Sequence, residues 1–398
     1  MTTGVALAQT PAATPTAVIG VGNRGSYLLD SVLAQPNAKV VALCDNKPDR
    51  LDKAATKAAG HSPKTTTDWR RIIENRDVEA VYIATPPHLH AEMAVAALGA
   101  GKHVYCEKPI GVTPAQVAAV VAAARSAKRV FVAGQQLRSH AQLSEAVGKI
   151  HDGIIGEILA IKAQRHATAD LPYDSSSGDW YYDVTKSGGY LIEQSVHNLD
   201  VCNWVLGQRP VRANGFGAIR LHKNEPPGRS IFDCGTMSFE YPGGAQVSFT
   251  QNVFHPRGMP HGGQNVLVYG SKGAVDLMYA CMLYPLGGGE PVEIAAKRQE
   301  PAHAHTVAFF EAIQKGGAVP ADVRVGAEAA LTAILGHEAM VKGNTVTWNS
   351  LGVNLSEAGR AAGCVECFRR RGRGAGCGLL GCGGRLEVGS GRGPLRGV

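Results

Sequence analysis

Gly20-Val-Gly22-Asn-Arg-Gly25 is a G-x-G-x-x-G turn, and Asp45 stands 20 residues after Gly25. This spacing suits a dinucleotide. Gly20 permits a tight turn, Gly22 removes a side chain that would obstruct a pyrophosphate, and Gly25 lets a helix approach a strand. The helix N-terminus then offers free N–H groups to phosphate charge. Asp45 would accept hydrogen bonds from ribose hydroxyls and repel a 2′-phosphate, so NAD is expected over NADP. Arg50 is near enough in sequence to offset that repulsion if its loop folds back.

Two further stretches carry groups fit for redox work on an alcohol. Glu107-Lys108-Pro109 brings an ammonium, which can orient a hydroxyl and stabilise negative charge developing on its oxygen. Glu193 and His197 are four residues apart, a spacing that puts both on one helix face. An imidazole, with its reference pKa near about 6.5, suits proton transfer around neutrality. Glu193 can align that imidazole or contact a hydroxyl, and Asp200, three residues on, is another candidate neighbour. His88 and His90 flank the Thr85-Pro86-Pro87 turn. Arg138, Arg165, His166, Tyr181 and Tyr182 are candidate substrate contacts, and the stretch from Tyr173 to Tyr182 is expected to cover a pocket, with Trp180 over the substrate. His90, Glu193 and His197 fall in different predicted domains, so no metal site is expected.

These groups need elements to hold them. Ala17–Val21 predicts a strand feeding the glycine turn, and Leu28, Leu29, Val32 and Leu33 predict the helix after it. Further strands are predicted at Lys39–Cys44, Val78–Ala84, His103–Cys106 and Val130–Ala133, alternating with helices, which implies a parallel sheet covered on both faces. From about residue 158 the pattern changes to strands with few helices: 158–163, 211–221, 231–239, 245–253, 264–269 and 274–277. That predicts a largely antiparallel sheet. A helix at 192–206 interrupts it, and others are predicted at 303–313 and 325–341. The fold class expected is an α/β Rossmann dinucleotide-binding domain followed by an α+β domain with a large, mostly antiparallel open sheet. The expected divisions are an arm over 1–16, the nucleotide domain over 17–134, a substrate and oligomerisation domain over 135–345, and a terminal segment over 346–398.

The glycine turn, Thr85-Pro-Pro-His-Leu-His90, Glu107-Lys-Pro109 and Gly188-Gly-Tyr-Leu-Ile-Glu-Gln-Ser-Val-His-Asn-Leu-Asp200 together resemble the glucose-fructose oxidoreductase, inositol dehydrogenase and rhizopine-catabolism family, over roughly residues 17–345. The resemblance implies that Lys108 reaches between the nicotinamide and the sugar hydroxyls, and that His197 accepts the proton. It places an Asp where this chain has Glu193, a departure that lengthens the carboxylate arm by one methylene. The nucleotide side is expected to comprise Gly20, Gly22, Asn23, Arg24, Gly25, Asp45, Arg50, Thr85, Pro86, His88, His90, Glu107, Lys108 and Gln135. The implied activity is NAD-dependent oxidation of a secondary hydroxyl on a sugar, sugar derivative or cyclitol. Two alternatives stand beside it: glycoside cleavage through transient oxidation with tightly held NAD, and a non-catalytic nucleotide sensor. A homodimer or homotetramer through the second domain's sheet is expected.

Composition narrows the partners. The chain has 398 residues, 44% of them hydrophobic, enough for two packed domains. Of the formal charge of +7, seven arginines and two glutamates place +5 in residues 361–398. The nearly neutral remainder lacks the clustered basic face that nucleic-acid binding needs. No stretch approaches the roughly 20 apolar residues of a membrane span. Ala6-Leu7-Ala8 suits a signal-peptidase site, which leaves cytoplasmic and periplasmic locations open. Cys44, Cys106, Cys202, Cys234 and Cys281 are expected as buried thiols. Cys364, Cys367, Cys377 and Cys382 lie in a Gly/Arg-rich tail expected to be disordered after residue 359, without zinc.

Overall fold

The computed structural model describes residues 13–168, 180–278, 280–296 and 303–355. Its first part runs β1 (Thr14–Ile19), α1 (Asn23–Leu33), β2 (Ala38–Cys44), α2 (Pro48–Lys57), β3 (Lys64–Thr66), α3 (Arg70–Glu74), β4 (Ala80–Ile83), α4 (His90–Gly99), β5 (His103–Cys106), α5 (Pro114–Ala127) and β6 (Phe131–Ala133). The strands form one parallel sheet in the order β3-β2-β1-β4-β5-β6. Helices on both faces leave no solvent side, which is why every residue of β4 is buried, Ala80 through Ile83. Strand order reverses between β1 and β4, and the crevice at that switch point is where such sheets take ligands.

The second part runs α6 (Ala141–His151), β7 (Ile158–His166), α7 (Val184–Ser187), a π-helical turn at Leu191–Ser195, α8 (Val196–Leu206), β8 (Arg212–Ala218), β9 (Cys234–Glu240), β10 (Gln246–Asn252), β11 (Gly263–Gly270), β12 (Gly273–Asp276), β13 (Met282–Pro285), β14 (Val292–Glu293), α9 (Ala304–Lys315), α10 (Val323–Lys342) and β15 (Val346–Thr347). Nine strands join in the order β14-β13-β12-β11-β7-β10-β9-β8-β15. All neighbours are antiparallel except β7 and β10. The alternation expected of a half-covered sheet is plain in β9, where Met237 and Phe239 are buried and Thr236 and Ser238 exposed. Leu199 and Val205 of α8 and Leu331 and Leu335 of α10 belong to the same core as those buried strand residues.

Three expected boundaries shift. The arm predicted over 1–16 reaches too far, because Thr14 and Thr16 are buried in β1 and pair with Ala38 and Val40. The terminal segment predicted from 346 begins too early: Val346 and Thr347 pair with Ala213 and Arg212 of β8, and Trp348 is buried. Nor does the whole of 135–345 belong to the second sheet. Phe309 and Phe310 of α9 share a core with Val18, Leu28 and Tyr82, and Phe309 meets Tyr82 edge-on at 5.4 Å. The chain thus returns to cover the first sheet, a pairing that helical periodicity alone does not reveal.

Cys44, Cys106, Cys202 and Cys281 are buried and Cys234 half-buried, all as free thiols. The Ala6-Leu7-Ala8 signal, the four tail cysteines and most of the expected covering loop, residues 169–179, lie outside the described residues. Among the described residues no helix is long and apolar enough to cross a membrane.

Candidate active site

The glycine turn closes as its composition demands. Gly20 has φ +82°, and a Cβ there would stand 2.6 Å from the Ala84 carbonyl oxygen. A Cβ on Gly25 would come within 1.8 Å of the Gly20 oxygen, so any side chain would force α1 away from β1. Gly22 is the N-cap of α1, whose first turn Asn23 opens, and no side chain caps that helix. The Arg50 guanidinium lies 3.1 Å from where a Gly22 Cβ would be. Uncapped amides at the helix start beside a guanidinium fit a pyrophosphate. Asp45 ties the turn to the next loop: its carboxylate accepts from Val21 N at 2.8 Å and Lys47 N at 2.9 Å.

The Thr85-Pro86 turn and the Glu107-Lys108-Pro109 loop are clasped by His90. Its Nδ1 lies 2.7 Å from the Pro109 oxygen and its Nε2 2.7 Å from the Thr85 oxygen, with the ring fully buried. The direct nucleotide contact expected of His90 gives way to this packing, because the buried ring faces a backbone oxygen on each side and its N–H donates to one of them. His88 carries a buried Nδ1 without a partner among the described residues. Burial holds its pKa down, with the nearby Lys186 charge working the same way.

Beyond this turn three ion pairs organise the crevice. Glu107, 3% exposed, takes Arg24 at 2.6 Å and the Lys108 amide at 3.1 Å. Lys108 Nζ donates to Glu193 twice, to Oε1 at 2.8 Å and to the backbone oxygen at 2.5 Å. Arg138 grips Asp200 through three hydrogen bonds of 2.8 to 3.2 Å and stacks over Trp204.

His197 lies next to these pairs, and its Nδ1 stands 3.2 Å from Gln135 Oε1. An amide oxygen accepts from Nδ1–H, which leaves Nε2 as the open acceptor. Burial holds this imidazole well below 6.5, helped by the Lys108, Arg165 and Arg24 charges. It is therefore neutral at neutral pH, the form a proton acceptor needs.

Several expected contacts change partner. Glu193 and His197 were expected on one helical face, with Glu193 or Asp200 aligning the imidazole. Glu193 instead sits in the π-helical turn, where the wider winding alters the four-residue spacing, and its carboxylate goes to Lys108 and Gln194. Asp200 is occupied by Arg138, and Gln135 contacts the imidazole. Arg138 is accordingly a strut between loop and helix before it is a substrate contact. His166 Nε2 pairs with Thr250 Oγ1 at 2.9 Å, and Tyr182 lies under the Arg229 guanidinium. Arg165 and Tyr181 do approach Glu193 and His197.

Sequence reasoning missed Gln136, which takes Arg24 at 3.3 Å, and His305, which joins Ser139 to the Ala133 oxygen. It also missed Tyr190, whose place directly after the glycine pair Gly188-Gly189 was the available signal. A cavity of about 600 Å³ beside Val78, Lys102 and His103 lies at the other ends of β4 and β5, and no site candidate lines it.

The buried imidazoles make acid a destabilising condition. Burial lowers the pKa of His90, His197 and His305 from 6.5, so below that value the unfolded chain takes up protons before the folded protein does. Stability then falls with pH. Glu107 adds to this lower down: burial alone would raise its carboxyl, but Arg24 and Lys108 hold it below 4.5, and its contribution is lost as pH falls through that lowered value. Calorimetry should show Tm dropping steadily from pH 7 to pH 4. A flat or rising Tm over that range contradicts the assignment of these groups.

Comparison with known proteins matches the two parts of the fold. A family profile described as the oxidoreductase family, NAD-binding Rossmann fold, matches residues 15–135, and one described as the GFO/IDH/MocA C-terminal domain matches 144–276. Levoglucosan dehydrogenase of Pseudarthrobacter phenanthrenivorans is 28% identical over 270 residues, 62% of this chain and 66% of that protein. The 2,7-anhydro-N-acetylneuraminate hydratase of Mediterraneibacter gnavus is 28% identical over 265 residues, 66% of each. The match therefore spans just under two thirds of the length of either relative. In fold, the chain is similar to levoglucosan dehydrogenase in complex with NADH and levoglucosan: TM-score 0.74 at 21% identity, covering 84% of this chain and 99% of that one.

Proposed function

The chain belongs to the Gfo/Idh/MocA family of NAD-linked oxidoreductases, and on that premise we propose that it oxidises a secondary hydroxyl of a sugar, sugar derivative or cyclitol, the hydride leaving the carbon that bears it. The observation that carries this reading is the Lys108–Glu193 pair beside a neutral His197 at the switch-point crevice. NAD, when bound at the glycine turn, supplies the hydride acceptor. Lys108 directs its remaining N–H to the substrate oxygen, and Glu193 keeps that ammonium oriented. His197 Nε2 takes the hydroxyl proton while Gln135 holds the Nδ1 side of the ring. Asp45 sets the preference for NAD over NADP by charge.

A second reading, glycoside cleavage through transient oxidation, elimination, hydration and re-reduction with retained NAD, is favoured by the similarity to a sugar hydratase. Mass spectrometry for bound nucleotide, followed by a sugar and glycoside panel with and without added NAD, separates the two. Accumulating NADH supports the dehydrogenase; product without net NADH supports the second reading; a panel with neither removes both.

Two finer points accompany the proposal. Calorimetric titration should show NAD binding at least about tenfold tighter than NADP, and Asp45→Ala should weaken NAD by about 1–3 kcal/mol. Equal NADP binding would remove the charge argument. Self-association is proposed through the outer face of the second sheet, where Tyr269 and Tyr284, both in register with Ala274, are exposed.

A further inference from the structure

Three cations around the crevice have acidic partners. Arg24 has Glu107 at 2.6 Å, Lys108 has Glu193 at 2.8 Å and Arg138 has Asp200 at 2.8 Å. Arg165, half-buried near the end of β7, has no carboxylate partner among the described residues; it donates to the neutral Gln194 Oε1 at 3.1 Å. Glu193 does not fill that role, since its two oxygens take Lys108 and the Gln194 amide.

Tyr181 and Tyr190 lie beside this arginine, 1% and 2% exposed. Neither phenol has a hydrogen-bond acceptor among the described residues. Arginine only donates, so any contact from Arg165 to the Tyr190 oxygen still leaves the phenolic hydrogen unaccepted. Burial pushes the Tyr190 hydroxyl up to about 12 and Tyr181 well above its ordinary value, so both stay protonated donors. Two phenolic donors without an acceptor, beside a guanidinium without a counter-charge, are costly to hold away from water. An oxyanion completes all three. A planar carboxylate matches the guanidinium fork with a single negative charge, whereas a phosphate dianion calls for a second free cation.

We propose that Arg165, Tyr181 and Tyr190 form an anion subsite, and that the substrate is a sugar bearing a carboxylate close to the carbon that is oxidised. This rests on the sugar-oxidation reading and names its substrate class. Arg165 reaches the Lys108–Glu193 pair through one side chain, since Gln194 accepts from Arg165 and donates to Glu193, which sets the subsite beside the groups assigned to the reacting hydroxyl.

The test uses the full chain saturated with NADH, a dead-end complex in which binding is read without turnover. D-Glucuronate, D-galacturonate and D-gluconate are titrated against D-glucose, D-galactose, D-sorbitol and glucose 6-phosphate. At least one sugar acid should bind about tenfold or more tighter than its neutral partner, and tighter than the phosphate. Arg165→Gln should collapse that ratio towards one, Arg165→Lys should restore part of it, and Tyr181→Phe or Tyr190→Phe should each reduce it several-fold. NADH affinity reports that each variant is folded. Equal binding of acids and neutral sugars, tighter binding of the phosphate, or a ratio unchanged in Arg165→Gln overturns the proposal and leaves sugar oxidation standing. Failure to bind NADH at all would instead strike the oxidoreductase reading itself.

Discussion

Replacing His197 with Ala is expected to lower single-turnover nicotinamide reduction by about 100-fold to 10,000-fold, the range that removal of a positioned proton acceptor produces. NAD affinity should hardly change, because the imidazole is held by Gln135 and not by the glycine turn. Burial and the Lys108 and Arg165 charges keep the ring neutral to well below pH 6.5. The acid limb of the rate profile should therefore fall below that value instead of near it. Pre-steady-state reduction, once a substrate is in hand, measures both. Near-normal reduction in His197→Ala would remove the imidazole from the chemical step, and a defect confined to NAD binding would move it to a role in cofactor placement.

Lys108→Met keeps most of the side chain's bulk and removes its charge, and turnover should fall by about 100-fold to 1,000-fold, as for loss of one donor to a developing oxyanion. Sugar affinity should fall as well, since the ammonium is expected to touch the hydroxyl before and during reaction. The same change leaves Glu193, 8% exposed, with its backbone oxygen and carboxylate both short of a donor. Breaking such a buried pair from one side costs up to about 3–5 kcal/mol. Glu193→Gln offers a control, because an amide still accepts from Lys108 while the charge is gone. It should lose less stability than Lys108→Met and retain more turnover. A Lys108→Met enzyme as fast as wild type would overturn the placement of that ammonium at the reacting oxygen.

The amino-acid sequence by itself determined the parts whose constraints are local. The glycine turn between β1 and α1 was legible because only glycine fits at Gly20 and Gly25, and backbone geometry there depends on a few neighbouring residues. Buried runs such as Val81–Ile83 marked the parallel sheet, and alternation marked the antiparallel one, because side-chain period follows backbone geometry. Lys108 and His197 were visible as candidates from residue type and position along those elements. Only the tertiary structure decided which groups they face. Lys108 and Glu193 are 85 residues apart, Arg138 and Asp200 are 62, and Arg24 and Glu107 are 83. Nothing in local spacing states such pairings, since they arise when the turn after β5, the turn after β6 and α8 converge on one crevice. The π-helical turn at Leu191–Ser195 shows the same limit at short range: a four-residue spacing implies a shared face only if the winding is α-helical. The return of Phe309 to the first sheet has the same cause, because an apolar helix face records that it is buried and leaves its partner to the packing of the whole chain.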